Sequence, residues 1–261
     1  MKIVVAIKQV PARDSLLKVN SSGTWIEDAD LAYEINEPDA YALEAGLQLK
    51  EKQGGEVVVL CAGPERASQT IREALAKGAD RAIHIETDDV NITDPLTLSR
   101  MMAMALASEE PDLVLTGLQS DDLGYGQTGV ILAETMGLPH ATLIMHIEME
   151  GAGIKVKREL EDGWFQHVSM PLPALLTIQS GATKLRYATL MGIKKAKSKE
   201  VKKLDAGAFG ASLSGIAADS SVRLDRVYMP EKTKRSQIFD GPAKEAAAQL
   251  VEKLRFEARV I

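Results

Sequence analysis

Short, almost uninterrupted runs of apolar residues recur along the first half of the chain, with longer segments of mixed polarity between them. Runs of this kind are typical of strands that are buried on both faces of a sheet. They occur at residues 2–8, 56–62, 81–85 and 112–116. Strands that alternate with helices usually pair in parallel. The pattern therefore predicts an α/β fold with a mostly parallel, nucleotide-binding sheet and helices on both faces.

The segments between the apolar runs carry residues that begin and end helices. Asp39 is expected to cap a helix that continues to about Gln53, and a second helix is predicted over residues 65–77. Asp94-Pro95 supplies a capping residue and then a proline at the first helical position. A fourth helix is predicted over residues 130–136.

The pattern changes after residue 139. Three segments of alternating polarity, separated by glycine-containing turns, predict antiparallel strands added to the sheet; they cover residues 141–149, 154–160 and 164–170. Residues 174–178 predict a last buried strand, and a Gly-, Ala- and Ser-rich segment follows at 206–221. An apolar stripe at helical spacing predicts a final helix over about 242–258.

Charge divides the chain into two parts. Residues 1–190 contain 16 Lys and Arg against 28 Asp and Glu, whereas residues 191–261 contain 15 against 9. We therefore expect an α/β domain at 1–190 and a basic C-terminal arm with a separate task at 191–261.

Composition narrows the class of protein. No apolar run approaches the roughly 20 residues that span a membrane, and the apolar N-terminus is too short for a signal peptide. Cys61 is the only cysteine, so the chain forms no internal disulfide. These features predict a cytoplasmic chain without direct membrane insertion.

The glycine-rich loop at residues 117–129 is the strongest chemical signal. It lies between a predicted buried strand and a predicted helix, where α/β proteins bind phosphate through backbone N–H groups and the helix dipole. Ala6 ends the first predicted strand with a small side chain, Ala62–Pro64 end the second, and Asn36–Asp39 lie just before a predicted helix. Together the four segments predict one nucleotide crevice. An ordinary βα loop with capping residues is the alternative.

The sequence lacks the motifs of hydrolytic and metal chemistry. It has no Walker-type loop, no lysine within the glycine-rich loop and no dinucleotide fingerprint. Its four histidines, at 84, 140, 146 and 167, show no metal-ligand spacing, and no nucleophile motif occurs. These absences predict binding without catalysis and without a metal.

A second unusual segment joins apolar residues to a lysine run. Residues 186–193 precede the basic run 194–203 and lie outside the strand pattern. An apolar tip beside positive charge is suited to an acidic protein partner, because charge steers the encounter and the apolar residues fill a pocket. Nucleic acid is not expected, since the net charge is −6 and the run lacks interleaved aromatic residues. A solvated linker is the alternative.

Several motifs at consistent spacing resemble the β subunits of electron-transfer flavoproteins along almost the whole chain. The most specific are the alanine-to-arginine stretch 74–81 and Arg186-Tyr187-Ala188-Thr189-Leu190. The others are Val5–Val10, Asn36–Asp39, Gly63-Pro64, the glycine-rich loop and Arg158-Glu159-Leu160.

The resemblance implies a heterodimer with a larger α subunit that holds most of an FAD, while the β subunit binds a structural AMP. It implies an electron carrier rather than an enzyme. The carrier accepts electrons from flavin dehydrogenases, such as acyl-CoA dehydrogenases, and passes them to a quinone reductase. Carried over position by position, the implied cofactor-binding residues are Ala6, Asn36, Glu37, Pro38, Asp39, Ala62, Gly117, Gln119, Ser120, Asp121, Asp122, Tyr125, Gly126, Gln127 and Thr128.

The resemblance also implies a recognition loop at 186–195, with Leu190 as the anchor in a pocket of the dehydrogenase. The implied docking residues are Tyr187, Leu190, Met191, Ile193 and Lys194. The C-terminal arm is expected to wrap the α subunit. Other members place aromatic residues where this chain has Arg13 and Pro38, and a carboxylate near Gln166 and His167, so those roles do not carry over.

Three other functions remain as alternatives. An electron-bifurcating carrier binds a second FAD in place of AMP, but that branch tends to carry Asp-Gly-Asp-Thr where this chain has residues 123–128. A non-redox, nucleotide-sensing α/β protein would need no α subunit. An ATP pyrophosphatase needs a phosphate-binding loop after the first strand, and Lys8-Gln9-Val10-Pro11 is not one.

Overall fold

The computed structural model describes residues 1–87, 93–209, 220–231 and 236–261. The chain forms two compact units, Met1–Arg226 and Val227–Ile261. In the described ranges, no helix has the length and apolar character needed to cross a membrane.

A nine-stranded sheet organises the first unit, and a separate two-stranded antiparallel sheet joins β2 to β3. The strands are β1 (Lys2–Ile7), β2 (Gln9–Pro11), β3 (Tyr33–Ile35), β4 (Glu56–Gly63), β5 (Arg81–Glu86), β6 (Leu113–Gly117), β7 (His140–Glu150), β8 (Gly153–Glu159), β9 (Phe165–Pro171), β10 (Ala174–Ile178) and β11 (Val201–Leu204). The order across the large sheet is β11-β5-β4-β1-β6-β10-β7-β8-β9. All pairings are parallel except β7 with β8 and β8 with β9, which confirms the expected α/β class.

Helices cover both faces of this sheet. Among the described residues of the first unit they are α1 (Glu37–Gln53), α2 (Ser68–Lys77), α3 (Pro95–Leu106), α4 (Thr128–Met136) and α5 (Leu190–Ala196). Residues of α1 and α2 pack in one hydrophobic cluster with Ile3, Val5 and Ile7, whereas residues of α3 and α4 pack in another with Val4 and Ala6. Alternate side chains of β1 therefore pack into the hydrophobic clusters on opposite faces of the sheet.

The strand order reverses at β1. The chain adds β4 and β5 on one side of β1 and then returns to add β6 on the other side. In open α/β sheets a crevice forms at such a reversal, at the carboxyl ends of the strands. The fold therefore places the ends of β1, β4 and β6 around one crevice.

Two elements differ from the prediction. Helix α1 begins at Glu37, with Asn36 at the N-cap position, so Asp39 is buried in the first turn and does not cap the helix. Strand β11 lies beyond the segment predicted as the last strand and pairs with β5. Because β11 is an edge strand with Lys202 and Lys203 in its middle, its sequence looked like part of a charged run.

The second unit contains helix α6 (Ala243–Lys253), which continues as a π-helical turn over Leu254–Ala258. This confirms the predicted final helix. Its apolar residues Leu250, Val251 and Phe256 are exposed. Of the Gly-, Ala- and Ser-rich segment at 206–221, residues 210–219 lie outside the described ranges.

Candidate functional site

A cavity of about 510 Å³ occupies the crevice at the strand reversal. Its wall contains twelve of the fifteen residues named from the sequence: Ala6, Asn36, Asp39, Ala62, Gly117, Gln119, Ser120, Asp122, Tyr125, Gly126, Gln127 and Thr128. The four predicted segments therefore do come together in space. Glu37, Pro38 and Asp121 are not in the wall.

These three residues contact one another or the residues of the wall. The Glu37 backbone N–H donates to Asp121 Oδ2 at 3.3 Å, and the Glu37 carboxylate pairs with the guanidinium of Arg13. The Cβ of Pro38 packs against Gly117 so closely that a Cβ added to Gly117 would lie 2.7 Å from it. They hold α1 against the glycine-rich loop rather than facing the cavity.

Asn36 joins the start of α1 to the glycine-rich loop. Its Nδ2 donates to the carbonyl of Gln119 at 2.9 Å, and its Oδ1 accepts the backbone N–H of Asp121 at 2.8 Å. The side chain is buried, so both bonds lie away from competing water. One amide thus uses a donor and an acceptor to fix the loop's first bend.

Asp39 ties the ends of β1 and β6 together. Its Oδ2 accepts the N–H of Lys8 at 2.7 Å, and its Oδ1 accepts the N–H of Gly117 at 2.9 Å. Burial raises the pKa of the Asp39 carboxyl to about 7, although these N–H groups oppose the rise. A Cβ added to Gly117 would lie 2.3 Å from Asp39 Oδ1, which explains why glycine ends β6.

Lys8 is a wall residue that the sequence did not indicate. Its ammonium, at the carboxyl end of β1, pairs with Asp122 Oδ1 at 2.6 Å and lies 3.5 Å from Ser120 Oγ. Burial raises the pKa of Asp122, but the charge of Lys8 and the hydrogen bonds to this carboxylate together outweigh that effect and hold the pKa below its usual value. The glycine-rich loop contains no lysine of its own and receives this one from a strand far away in sequence.

The N-terminus of α4 opens into the cavity without a side-chain cap. Gln127 occupies the N-cap position, and Gln127, Thr128 and Gly129 line the wall. The first N–H groups of a helix have no partner inside it, and the helix dipole attracts an anion. Helix α3 also reaches the wall, but there the side chain of Asp94 accepts two of the first N–H groups. The N-terminus of α4 is therefore better suited to an anion than the N-terminus of α3.

The loop before α4 turns on two glycines. Gly124 and Gly126 have φ of 65° and 63°, in the left-handed region that favours glycine. They flank Tyr125, so the loop changes direction on both sides of this residue before the helix begins.

Other wall residues come from segments that the sequence did not connect with the site. They include Gln9, Trp25, Asp28, Arg66, Thr93 and Met102. Trp25 and Asp28 belong to the excursion between β2 and β3, which carries no motif of its own. Only the folding of this excursion over the ends of β1 and β4 brings them to the cavity.

The predicted docking segment forms the short helix α5. Thr189 caps it by accepting the N–H of Gly192 at 3.0 Å. The side chains of Tyr187, Leu190 and Met191 are 92%, 81% and 60% exposed. Ile193 and Lys194 are also exposed, so the five predicted residues form one apolar tip with a positive charge beside it.

Buried contacts hold this tip in place. The guanidinium of Arg186 binds Glu44 through Nε (2.7 Å) and Nη2 (3.0 Å), and these carboxylate bonds raise the pKa of Arg186. A Cβ on Gly192 would lie 2.2 Å from the carbonyl oxygen of Ala76, so α5 approaches α2 closely. Arg72 of α2 donates to the carbonyl of Ala196 at 2.7 Å. The tip is thus exposed but rigidly mounted.

A cluster of Glu65, His84 and Glu86 brings one possible ligand atom from each residue within 4.8 Å of the others. The ammonium of Lys203 donates to Glu65 at 2.7 Å and to Glu86 at 2.6 Å. It supplies positive charge to both carboxylates and ties β11 to the sheet.

The chain is similar to electron transfer flavoproteins along its length. Residues 24–209 match the family described as the electron transfer flavoprotein domain. The sequence is 36% identical over 257 residues to the electron transfer flavoprotein subunit beta of Methylophilus methylotrophus, which covers 97% of each chain. It is 34% identical over 264 residues to the subunit of the same name from Bradyrhizobium diazoefficiens, with both chains fully covered. The Bos taurus subunit is 33% identical over 263 residues, 100% of this chain and 99% of that one.

Proposed function

Because the chain belongs to the electron transfer flavoprotein family and matches its β subunits over their full length, we propose that it is the β subunit of a heterodimeric electron carrier. The heterodimer takes electrons from flavin dehydrogenases, such as acyl-CoA dehydrogenases, and passes them to a quinone reductase or another acceptor. The carrier has no substrate turnover of its own. FAD, held mainly by the α subunit, supplies the redox chemistry.

We propose that the cavity binds AMP. The uncapped N-terminus of α4 in the cavity wall carries this proposal, because its free N–H groups and dipole suit a phosphate. The small side chains of Ala6 and Ala62, at the ends of β1 and β4, leave room for the rest of the nucleotide. Asn36, Asp39 and Lys8 then act indirectly, by fixing the glycine-rich loop around the ligand.

The apolar tip on α5 is the proposed docking surface for the dehydrogenase. Leu190 is the proposed anchor, since it is strongly exposed and mounted on a helix held by buried contacts. Lys194 and the lysines after it favour an acidic partner. The rigid mounting matters because a pre-positioned anchor loses little conformational freedom on binding.

The second unit is proposed to bind the α subunit. The exposed apolar residues of α6 and its π-helical end, which include Leu250, Val251 and Phe256, would be covered in such a complex. The heterodimer is proposed to be cytoplasmic, where the single, buried thiol of Cys61 stays reduced.

The cofactor content of the heterodimer tests the proposal. The chain is co-expressed with its α subunit, and the purified complex is denatured so that released FAD and AMP can be quantified. One FAD and one AMP per heterodimer are expected. Two FAD and no AMP would indicate the bifurcating type and overturn the AMP assignment. A chain that purifies alone with a nucleotide and without flavin would favour the nucleotide-sensing alternative.

A further inference from the structure

The excursion between β2 and β3 contributes Trp25 and Asp28 to the cavity wall. Its base is closed by the N–H of Ala12, which donates to the carbonyl of Ala32 at 2.9 Å. Near its middle, Val19 pairs with Ile26 in an antiparallel bridge. Between them, Asn20 accepts the N–H of Trp25 through its side chain (3.3 Å) and donates its own N–H to the Trp25 carbonyl (2.8 Å). These bonds fix the backbone of Trp25, a residue of the cavity wall.

A second set of contacts anchors the excursion to the wall after β4. The hydroxyl of Tyr33 donates to Asp28 Oδ1 at 2.8 Å. The guanidinium carbon of Arg66 lies 4.3 Å from the centroid of the Tyr33 ring, in a cation–π contact. Gln9 donates through Nε2 to the carbonyl of Arg66 at 3.1 Å. Trp25 is therefore carried by a segment attached at both its base and its cavity side.

The strand order separates this wall from the anion site. Pro64 and Arg66 follow β4, whereas Gln127 and Thr128 follow β6, and β1 lies between these strands. Neighbouring strands are about 4.8 Å apart, so the two walls are roughly 10 Å apart across the crevice. A nucleoside monophosphate with its phosphate at α4 is long enough to bring its base to the wall after β4.

We propose that the indole ring of Trp25 stacks against the purine base of the bound nucleotide and makes the cavity prefer ligands that carry a planar base. This inference rests on the proposed AMP site. Trp25 and Tyr125 are the aromatic residues of the cavity wall in the described ranges. Tyr125 belongs to the glycine-rich loop, two residues before Gln127, and thus to the part of the wall where the phosphate is proposed to bind. Trp25 belongs to the excursion, which is attached to the wall after β4.

Binding of AMP and of ribose 5-phosphate by the nucleotide-free heterodimer tests this stacking. The two ligands share the phosphate and the sugar, but only AMP carries the base. Trp25→Ala should weaken AMP binding by about 5- to 150-fold, the range expected when one base–aromatic stack is lost. It should leave ribose 5-phosphate binding unchanged, and Trp25→Phe should restore most of the affinity for AMP. Trp164→Phe is the matched control, because Trp164, the second tryptophan, is exposed and does not line the cavity.

Fluorescence supplies a second readout that does not depend on the alanine variant. Addition of AMP should quench a tryptophan signal that is present in the wild type and in Trp164→Phe but absent from Trp25→Phe. An equal loss of affinity for both ligands in Trp25→Ala would mean that Trp25 only supports the fold, and would overturn the inference. Unchanged AMP affinity, or unchanged fluorescence while AMP binds, would also overturn it. Failure of the wild type to bind AMP would instead reject the AMP site and, with it, the stacking.

Discussion

Replacement of Asp39 by asparagine tests how the two sides of the cavity are held together. The carboxyl group accepts two backbone N–H groups, from Lys8 and Gly117. An asparagine keeps one acceptor oxygen and turns the other position into a donor that faces an N–H. A buried donor left without a partner costs about 1–3 kcal/mol. Asp39→Asn should therefore lower the free energy of unfolding by this amount or more and reduce the AMP retained on purification.

The raised pKa of Asp39 makes the contribution of this residue to the free energy of unfolding depend on pH. The pKa is about 7 in the folded chain and 3.8 in the reference state, so between these values the folded chain holds a proton that the unfolded chain has released. The contribution of this group to stability is therefore fully present below pH 3.8 and is lost as the pH rises to 7. At about 1.4 kcal/mol per pH unit, the advantage of wild type over Asp39→Asn should shrink by about 3 kcal/mol between pH 5 and pH 8.

Denaturant titrations of the wild-type and variant heterodimers at pH 5 and pH 8 measure both effects. Asp112→Asn is the matched control, because Asp112 also accepts a β1 backbone N–H, from Lys2 at 2.7 Å, but is exposed at the opposite end of the strand. Asp112→Asn should lower the free energy of unfolding by less than about 1 kcal/mol. A stability difference that does not change with pH would refute the raised pKa of Asp39. Full stability at pH 5, together with full AMP content, in Asp39→Asn would refute its bridging role.

Three further changes test the remaining parts of the molecule. Gly117→Ala should destabilise the heterodimer by about 1–3 kcal/mol, since the new Cβ would lie 2.3 Å from Asp39 Oδ1, and thermal unfolding checks this; an unchanged melting temperature would contradict the tight packing. Leu190→Ala should slow electron transfer from the dehydrogenase without lowering the FAD content. Leu16→Ala should leave electron transfer unchanged, although Leu16 is as exposed as Leu190 (80% against 81%). Unchanged kinetics in both variants would reject Leu190 as the anchor. A chain that ends at Arg226 should retain AMP but bind the α subunit more weakly, as measured by gel filtration of the co-expressed subunits; a full-strength heterodimer would reject the proposed role of the second unit.

Local patterns in the sequence predicted most of the architecture. The apolar runs of β1, β4, β5 and β6 identify buried strands, because a strand covered on both faces needs no polar positions. Asp94 followed by Pro95 identifies the start of α3, because the cap and the proline act within one turn. The exposed tip on α5 was also recognisable, because an apolar group next to lysines is visible without knowledge of its neighbours.

Local sequence patterns did not predict the role of a residue where that role depends on a partner far away in the chain. Asp39 looked like a helix cap, yet it binds the ends of two strands that are 31 and 78 residues away. Strand β11 carries two lysines and forms only because β5 offers an unpaired edge. Charge near a predicted helix or strand does not reveal either pairing.

The sequence by itself therefore determined the class of fold, the strands that meet at the crevice and the glycine-rich loop that lies there. Each of these depends on residues close together in the chain, whose spacing reflects local backbone geometry. Only the tertiary structure decided that Lys8 reaches Asp122 and that Trp25 lies in the cavity wall. Strand order and the path of an irregular excursion set these contacts, and both depend on how the whole sheet packs rather than on any local pattern.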